Sequence, residues 1–268
     1  MHNIKLTIAY DGTDFHGWQM QPGKPTIQGE LTDVARKLTQ ENVTIYAAGR
    51  TDAGVHALGQ VAHFRTQSHL TPGEFQRAFN ALLPPAIRVA ATEEVGPDFH
   101  ARWQAQAKTY RYRIFRGRVV PPFAWRFVLH YPYPLDEEAM AEAARLFEGE
   151  HDFTSFAAST GSEDEDRDRN PLREIFRSAI ARPAQLQGGP AGPLAPESDE
   201  LIYEVRGRSF LRYMVRKMVG TLIDVGKGRL KPEDIQTLFE LRDRSKSGPT
   251  VPPHGLCLVS VEYPEPWK

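Results

Sequence analysis

From its first residues the chain alternates. Ile4, Leu6, Ile8 and Tyr10 are separated by the smaller or more polar Lys5, Thr7 and Ala9, the period of two that predicts a half-buried strand. Asp11-Gly12 ends it. The period then lengthens: Ile27, Leu31, Val34, Ala35 and Leu38 form one helical stripe behind Thr26, a residue suited to cap the helix start. Val43, Ile45 and Ala47 predict a second strand and residues 58–65 a third, followed by a helix over 71–83 and a strand over 87–95. The order is β-α-β-β-α-β.

A similar order follows. Residues 108–117 predict a strand, 136–148 a helix, 172–182 and 200–207 two strands, 211–226 and 232–241 two helices, and 257–263 a last strand. Two split β-α-β units predict an α+β protein of two pseudo-twofold-related βαββαβ halves, RRM-like or ferredoxin-like, with antiparallel sheet flanked by helices. The expected halves are 1–104 and 105–268, with a cleft between them. Two segments interrupt the pattern: the acidic loop at 161–170, and a Pro/Gly-rich stretch at 184–199 that is expected to be a poorly ordered hairpin extension.

Composition narrows the class. With 268 residues, 40% of them hydrophobic and 25% charged, the chain has the make-up of a soluble globular protein. Its apolar runs are too short to span a membrane, and the N-terminal residues enter a strand pattern without the form of a signal peptide. A lone Cys257 excludes an internal disulfide and is consistent with a reducing compartment, so the cytoplasm is the expected location. Net charge is −1, but the cations are clustered. Arg102, Lys108, Arg111, Arg113, Arg116 and Arg118 lie in a stretch without an acid, and Arg206, Arg208, Arg212, Arg216, Lys217, Lys227 and Arg229 face only Asp224. Strips of this kind are either solvated element faces or the footprint of a polyanion, here a basic cleft for nucleic acid.

The candidate chemistry centres on Ala48-Gly49-Arg50-Thr51-Asp52-Ala53-Gly54-Val55-His56-Ala57, a carboxylate in a glycine-bracketed turn. Such an Asp either caps its own backbone or is presented as a nucleophile. Phosphate-loop, dinucleotide-binding, nucleophile-elbow and helical His-Glu-x-x-His motifs are absent from the sequence. His56 and His63 would point to opposite faces of one strand and make no metal site, and Asp164-x-Asp166-x-Asp168 lacks the glycine and distal glutamate of a calcium loop. Tyr110, Tyr112 and Ile114 share one strand face, where a tyrosine is most often core. Arg212 and Arg216 are four apart on the helix expected from residue 211, so one of them could turn inward toward a carboxylate or phosphate.

Together these segments resemble the TruA family of tRNA pseudouridine synthases nearly end to end. The resemblance rests on Tyr10-Asp11-Gly12-Thr13-Asp14-Phe15-His16-Gly17-Trp18-Gln19, the Thr26-Ile27-Gln28 helix start, Gly49 to Ala57, Phe99-His100-Ala101-Arg102, Lys108-Thr109-Tyr110-Arg111-Tyr112, Phe210-Leu211-x-x-Met214-Val215-Arg216 and Gly255-Leu256. Val251 stands where the family commonly has alanine and Cys257 where it commonly has an aromatic, and the stretch 184–199 is longer than usual.

The resemblance implies cofactor-free and metal-free isomerisation of uridine to pseudouridine, with Asp52 as nucleophile. It implies that Arg216 pairs with that carboxylate, that Arg50 holds RNA backbone or fills the space left by an extruded nucleotide, and that Tyr110 stacks on the flipped uracil. Arg102, Lys108, Arg111 and Arg212 become candidate RNA contacts. The implied substrate is the anticodon arm of tRNA at positions 38, 39 and 40, and the implied assembly a homodimer. Two other readings compete: a non-catalytic RNA-binding protein of two RRM-like halves, and a metal-dependent phosphodiesterase using the acidic loop.

Overall fold

The alternation at residues 4–10 becomes strand β1 (His2–Tyr10) of a computed structural model that describes residues 1–158, 170–183 and 199–267. The acidic Asp164–Asp168 run and the Pro/Gly-rich stretch from 184 to 198 lie outside these residues. The described chain is α+β, with mixed, mostly antiparallel strand pairing and five α-helices. None of those helices is long and apolar enough to cross a membrane. Two compact units are present: Met1–Lys108 with Cys257–Lys268, and Thr109–Leu256.

The first unit is ordered around β1. Helix α1 (Ile27–Thr39) starts at Thr26, whose hydroxyl accepts from the Gly29 N–H, and buries Ile27, Leu31, Val34 and Ala35 as the stripe predicts. Strand β2 is Tyr46–Ala47 alone, shorter than the predicted Val43–Ala47. Val43 and Ile45 are buried, but the Ile45 carbonyl accepts from the Gln28 side chain at 3.0 Å and takes no part in a ladder. Burial was legible in the alternation; strand pairing was not. Strand β3 (His56–Thr66) lies antiparallel to β1, helix α2 (Pro72–Leu82) opens with a Thr71–Glu74 capping box, and β4 (Ile87–Val95) covers the other edge of β1. The last strand, β10 (Leu256–Glu262), runs parallel to the start of β3, with Cys257 opposite His56 and Leu258 opposite Ala57.

The second unit begins within β5 (Ala107–Phe115), which buries Tyr110, Tyr112 and Ile114. Short β6 (Leu129–His130) runs parallel to β5, and helix α3 (Glu137–Arg145) is capped by the Asp136 carboxylate. Strands β7 (Gly149–Asp152), β8 (Leu172–Ala181) and β9 (Glu200–Gly207) complete the order β5-β9-β8-β7. The predicted helix over 136–148 ends at Arg145, after which the Leu146, Phe147 and Glu148 N–H groups bond three residues back and Gly149, at φ +103, turns the chain into β7. Strands β6 and β7 were not predicted, being too short for a period to show.

Helix α4 (Met214–Gly226) starts three residues later than its apolar stripe suggests, and α5 (Asp234–Leu241) follows. Tyr213 sits in the left-handed region at φ 60 and breaks the helix there. Arg212 therefore precedes α4, and the expected helical face shared by Arg212 and Arg216 does not form.

Part of each basic strip is answered by acids, most of them remote in sequence. Arg111 donates to Glu204 at 2.7 Å, Arg113 to Glu200 at 2.8 Å and Arg116 to Glu137 at 2.8 Å. Arg208 pairs with Glu174, while Lys227 and Arg229 both face Asp224. Glu200 and Glu204 lie on β9, the strand beside β5, so these are cross-strand pairs. A local count of charges cannot see them.

Candidate active site

The turn that carries Asp52 is built from below by the segment Tyr10–Gln19. Trp18 N–H donates to the Thr51 carbonyl at 3.0 Å, and Gly54 N–H donates to the Phe15 carbonyl at 3.3 Å. Val55 N–H closes the turn on the Asp52 carbonyl at 3.1 Å. Gly54, at φ +77, supplies the left-handed residue the reversal needs. Two further glycines allow the close approach of the two segments. A Cβ on Gly12 would stand 2.0 Å from the Val55 carbonyl oxygen, and one on Gly17 2.7 Å from that of Thr51. Both neighbours are backbone and cannot swing aside.

Side chains brace the same turn. The Tyr10 hydroxyl lies 2.8 Å from the Thr51 hydroxyl, both residues buried. Burial pushes the Tyr10 phenol above its ordinary range, so it stays protonated and able to donate. Gln60, fully buried, donates to the Gly49 carbonyl at 2.9 Å. Gln28 ties the helix start in as well, accepting from Met20 N–H and donating to Ile45. The quoted motifs at 10–19 and 26–28 are thus the scaffold of the turn at 49–57. Tyr10→Phe is expected to cost about 1–2 kcal/mol, since it strands the buried Thr51 hydroxyl. A lower urea midpoint at unchanged slope would register that loss.

His56 and Asp11 lock the base of the turn. His56 Nδ1 accepts from the Gly12 N–H at 3.0 Å and lies 3.2 Å from the Asp11 carboxylate. The two contacts compete for one nitrogen, which accepts from Gly12 when it carries no hydrogen and donates to Asp11 when it does. Partial burial works against the Asp11 charge, but hydrogen bonds from His56 and Thr13 outweigh it and hold the carboxyl well below the usual range. His63, on the same strand, accepts from Ala101 N–H instead. Both histidines are structural.

Within this frame Asp52 is half-buried and Arg50 exposed. Lys108 belongs to the same unit: its aliphatic end packs at 3.4 Å from where a Gly49 Cβ would stand. Burial, with Arg102 nearby, lowers its ammonium to about 8, and no carboxylate pairs with it among the described residues. Arg102 is exposed and lies 5.2 Å over the Trp103 ring.

The remaining candidates lie in the second unit. Tyr110 is buried on β5, its ring edge-on to Phe210 at 5.1 Å. Arg212 and Arg216 meet on the Tyr213 ring, at 4.8 and 4.7 Å from its centroid. The left-handed Tyr213, which no sequence pattern announced, brings them together where the helical face does not. Arg216 Nε donates to the Val251 carbonyl at 2.8 Å. That contact uses main chain, so valine serves as well as alanine there. Gly220 and Gly248 allow the 248–251 segment against α4, since a Cβ on Gly220 would stand 1.8 Å from the Pro249 carbonyl oxygen. Arg111 is held by Glu204.

Comparison with known proteins gives the chain a family. The family profile described as tRNA pseudouridine synthase matches residues 6–104 and 143–264. The tRNA pseudouridine synthase A of Solibacter usitatus (strain Ellin6076) is 48% identical over 98% of this chain and 100% of its own length. The tRNA pseudouridine synthase A 1 of Desulfotalea psychrophila is 43% identical over 98% and 100%, and the enzyme of Caldicellulosiruptor saccharolyticus 42% over 98% and 100%. Among solved structures, an archaeal box H/ACA sRNP Nop10-Cbf5 complex is similar at a TM-score of 0.33 and 12% identity, over 82% of this chain and 44% of that one. The match in profile and in full-length relatives establishes that this chain belongs to the tRNA pseudouridine synthase family.

Proposed function

We propose that this chain isomerises uridine to pseudouridine in tRNA with Asp52 as the nucleophile. The reaction breaks the bond from ribose C1′ to N1, joins C1′ to C5, returns a proton to N1 and releases the C5 proton to water. A carboxylate that attacks and later leaves divides this exchange into two easier steps. The observation that carries the reading is the Asp52 turn itself. Its backbone is hydrogen-bonded from below, closed against Gly12 and Gly17, and braced by Tyr10 and Gln60. A side chain on such a turn is held in one place before substrate arrives, which is what nucleophilic attack requires.

In this reading Tyr110 stacks on the extruded uracil and Arg216 pairs with the Asp52 carboxylate. The Nε bond to Val251 and the stack on Tyr213 support Arg216, because they fix the plane of its guanidinium. Arg50, exposed beside the nucleophile, takes RNA backbone or the space the nucleotide vacates. The turn belongs to a half spanning 1–104, and Tyr110 and Arg216 to one spanning 105–268. Of the four residues proposed to contact RNA, Arg102, Lys108 and Arg212 have cationic groups without a carboxylate partner among the described residues. Arg111, paired with Glu204, has the least support. The proposed substrate is the anticodon arm at positions 38, 39 and 40, and the proposed setting a cytoplasmic homodimer.

The decisive test is tritium release from tRNA labelled at uridine C5, with wild type beside Asp52→Ala and chelator present. Release by wild type alone supports the proposal. Binding by both proteins without release favours a non-catalytic RNA-binding protein. Lys108 adds a pH dependence. Its ammonium is charged below about 8 and neutral above, so tRNA affinity is expected to fall as pH rises through that value. In Lys108→Met the affinity should be lower at neutral pH and flat across the range, as fluorescence anisotropy would show.

A further inference from the structure

Away from the turn but in the same unit, four rings make a contiguous cluster, part stacked and part tilted or edge-on, that reaches solvent. Tyr46 lies on His63 at 5.4 Å and against His100 at 5.3 Å, His63 meets His100 at 4.7 Å, and His100 meets Trp103 at 5.3 Å. The inner end is anchored: His63 is buried, edge-on to Phe99, and accepts from Ala101 N–H. The outer end is open. Trp103 is 71% exposed and Tyr46 49% exposed, the opposite of where large aromatic side chains settle when packing alone decides.

The surroundings are cationic. Arg102 lies over the Trp103 ring, and Arg65 donates to the Pro97 carbonyl. Neither has a carboxylate partner among the described residues, unlike Arg111, Arg113 and Arg116. Partial burial, helped by Arg102 and Arg65, keeps His100 below its ordinary value, and burial with His100 and Arg65 takes His63 down to about 4. At neutral pH the stack is therefore uncharged imidazole and aromatic ring, framed by fixed guanidinium charge. Position links it to the chemistry. Tyr46-Ala47 is β2, and the chain passes from it through Ala48 and Gly49 directly into the Asp52 turn.

We infer that Tyr46, His100 and Trp103 form a stacking platform for an unpaired RNA base, with Arg102 and Arg65 holding the phosphates on either side of that nucleotide. Exposed rings that take a base face, flanked by guanidinium, are the chemistry by which single-stranded nucleic acid is gripped without reading sequence. The occupant is a nucleotide other than the one undergoing reaction. The inference rests on the proposed action on tRNA, and it concerns affinity where Asp52 concerns chemistry.

The test measures both in full-length chain. Trp103→Ala and Tyr46→Ala are expected to weaken the Kd for a tRNA transcript by about tenfold each, with tritium release at saturating RNA nearly unchanged. Trp103→Phe should recover most of the affinity. A stem-loop RNA carrying 2-aminopurine in its loop should be quenched by wild type and markedly less by Trp103→Ala. Unchanged Kd in both alanine variants would overturn the inference. So would a shift in sedimentation of Trp103→Ala with RNA affinity intact, because the rings would then be covering a second copy of the chain. Trp103-dependent RNA binding by a chain that releases no tritium would leave the platform standing and remove the isomerase.

Discussion

Asp52→Asn is expected to eliminate tritium release while leaving a folded, RNA-binding protein. The substitution keeps the shape of the side chain and removes its charge, and an amide oxygen is a far poorer nucleophile than a carboxylate. Loss of a covalent nucleophile lowers turnover by about a thousandfold or more. The fold should not register the change strongly. The turn is held by backbone bonds from Trp18, Gly54 and Val55 and by side-chain bonds at Tyr10 and Gln60, all of which the isosteric asparagine leaves in place. A melting temperature close to wild type, an unchanged Kd for tRNA and no release over background would together locate the defect in chemistry. Turnover within tenfold of wild type would exclude Asp52 as nucleophile.

Gly12→Ala should do the reverse, damaging fold and chemistry together. The added methyl would meet the Val55 carbonyl at 2.0 Å, so one of two backbone segments must move. Overpacking of this kind costs about 3 kcal/mol, and the segment that yields carries either Gly12's bond to His56 or the closing bond of the Asp52 turn. A displacement of about 1 Å at a reacting group is enough for a hundredfold loss in turnover. Gly73→Ala provides the contrast. That glycine lies in α2 with its nearest neighbour a flexible arginine end at 3.5 Å, and alanine there should stabilise by up to about 1 kcal/mol. Chemical denaturation with tritium release on both variants tests the pair. Equal stability of Gly12→Ala and wild type would mean that the two segments are not pressed together as described.

The charge pattern shows how sequence and structure can part. A run of six cations from Arg102 to Arg118 with no intervening acid reads either as a polyanion surface or as solvated element faces. In the fold, Arg111, Arg113 and Arg116 are consumed by Glu204, Glu200 and Glu137, each at least 21 residues away in sequence. Arg102 keeps its charge exposed and Lys108 keeps its own beside Gly49. Three of the six become structural cations, two through cross-strand pairs with β9 and one through the start of α3, because such neighbours are set by topology and not by spacing along the chain.

By itself the sequence determined the α+β class, the apolar faces of β1, α1 and β5, and the glycine-bracketed Asp52 turn, since these depend on periods and turn chemistry that act within a few residues. Its motifs also pointed to the family. Only the tertiary structure decided why those motifs belong together: Tyr10–Gln19 and Thr26–Gln28 are the floor of a turn some thirty residues on. It likewise decided that Tyr213, at φ 60 just before the helix, gathers Arg212 and Arg216 on one ring, and that His100 sits between Tyr46 and Trp103. Most of these contacts join segments brought close by the packing of whole elements, and the local ones depend on a backbone conformation that the packed fold imposes. Local propensity carries no record of them, because the free energy that selects them comes from burial and hydrogen bonding across the completed fold.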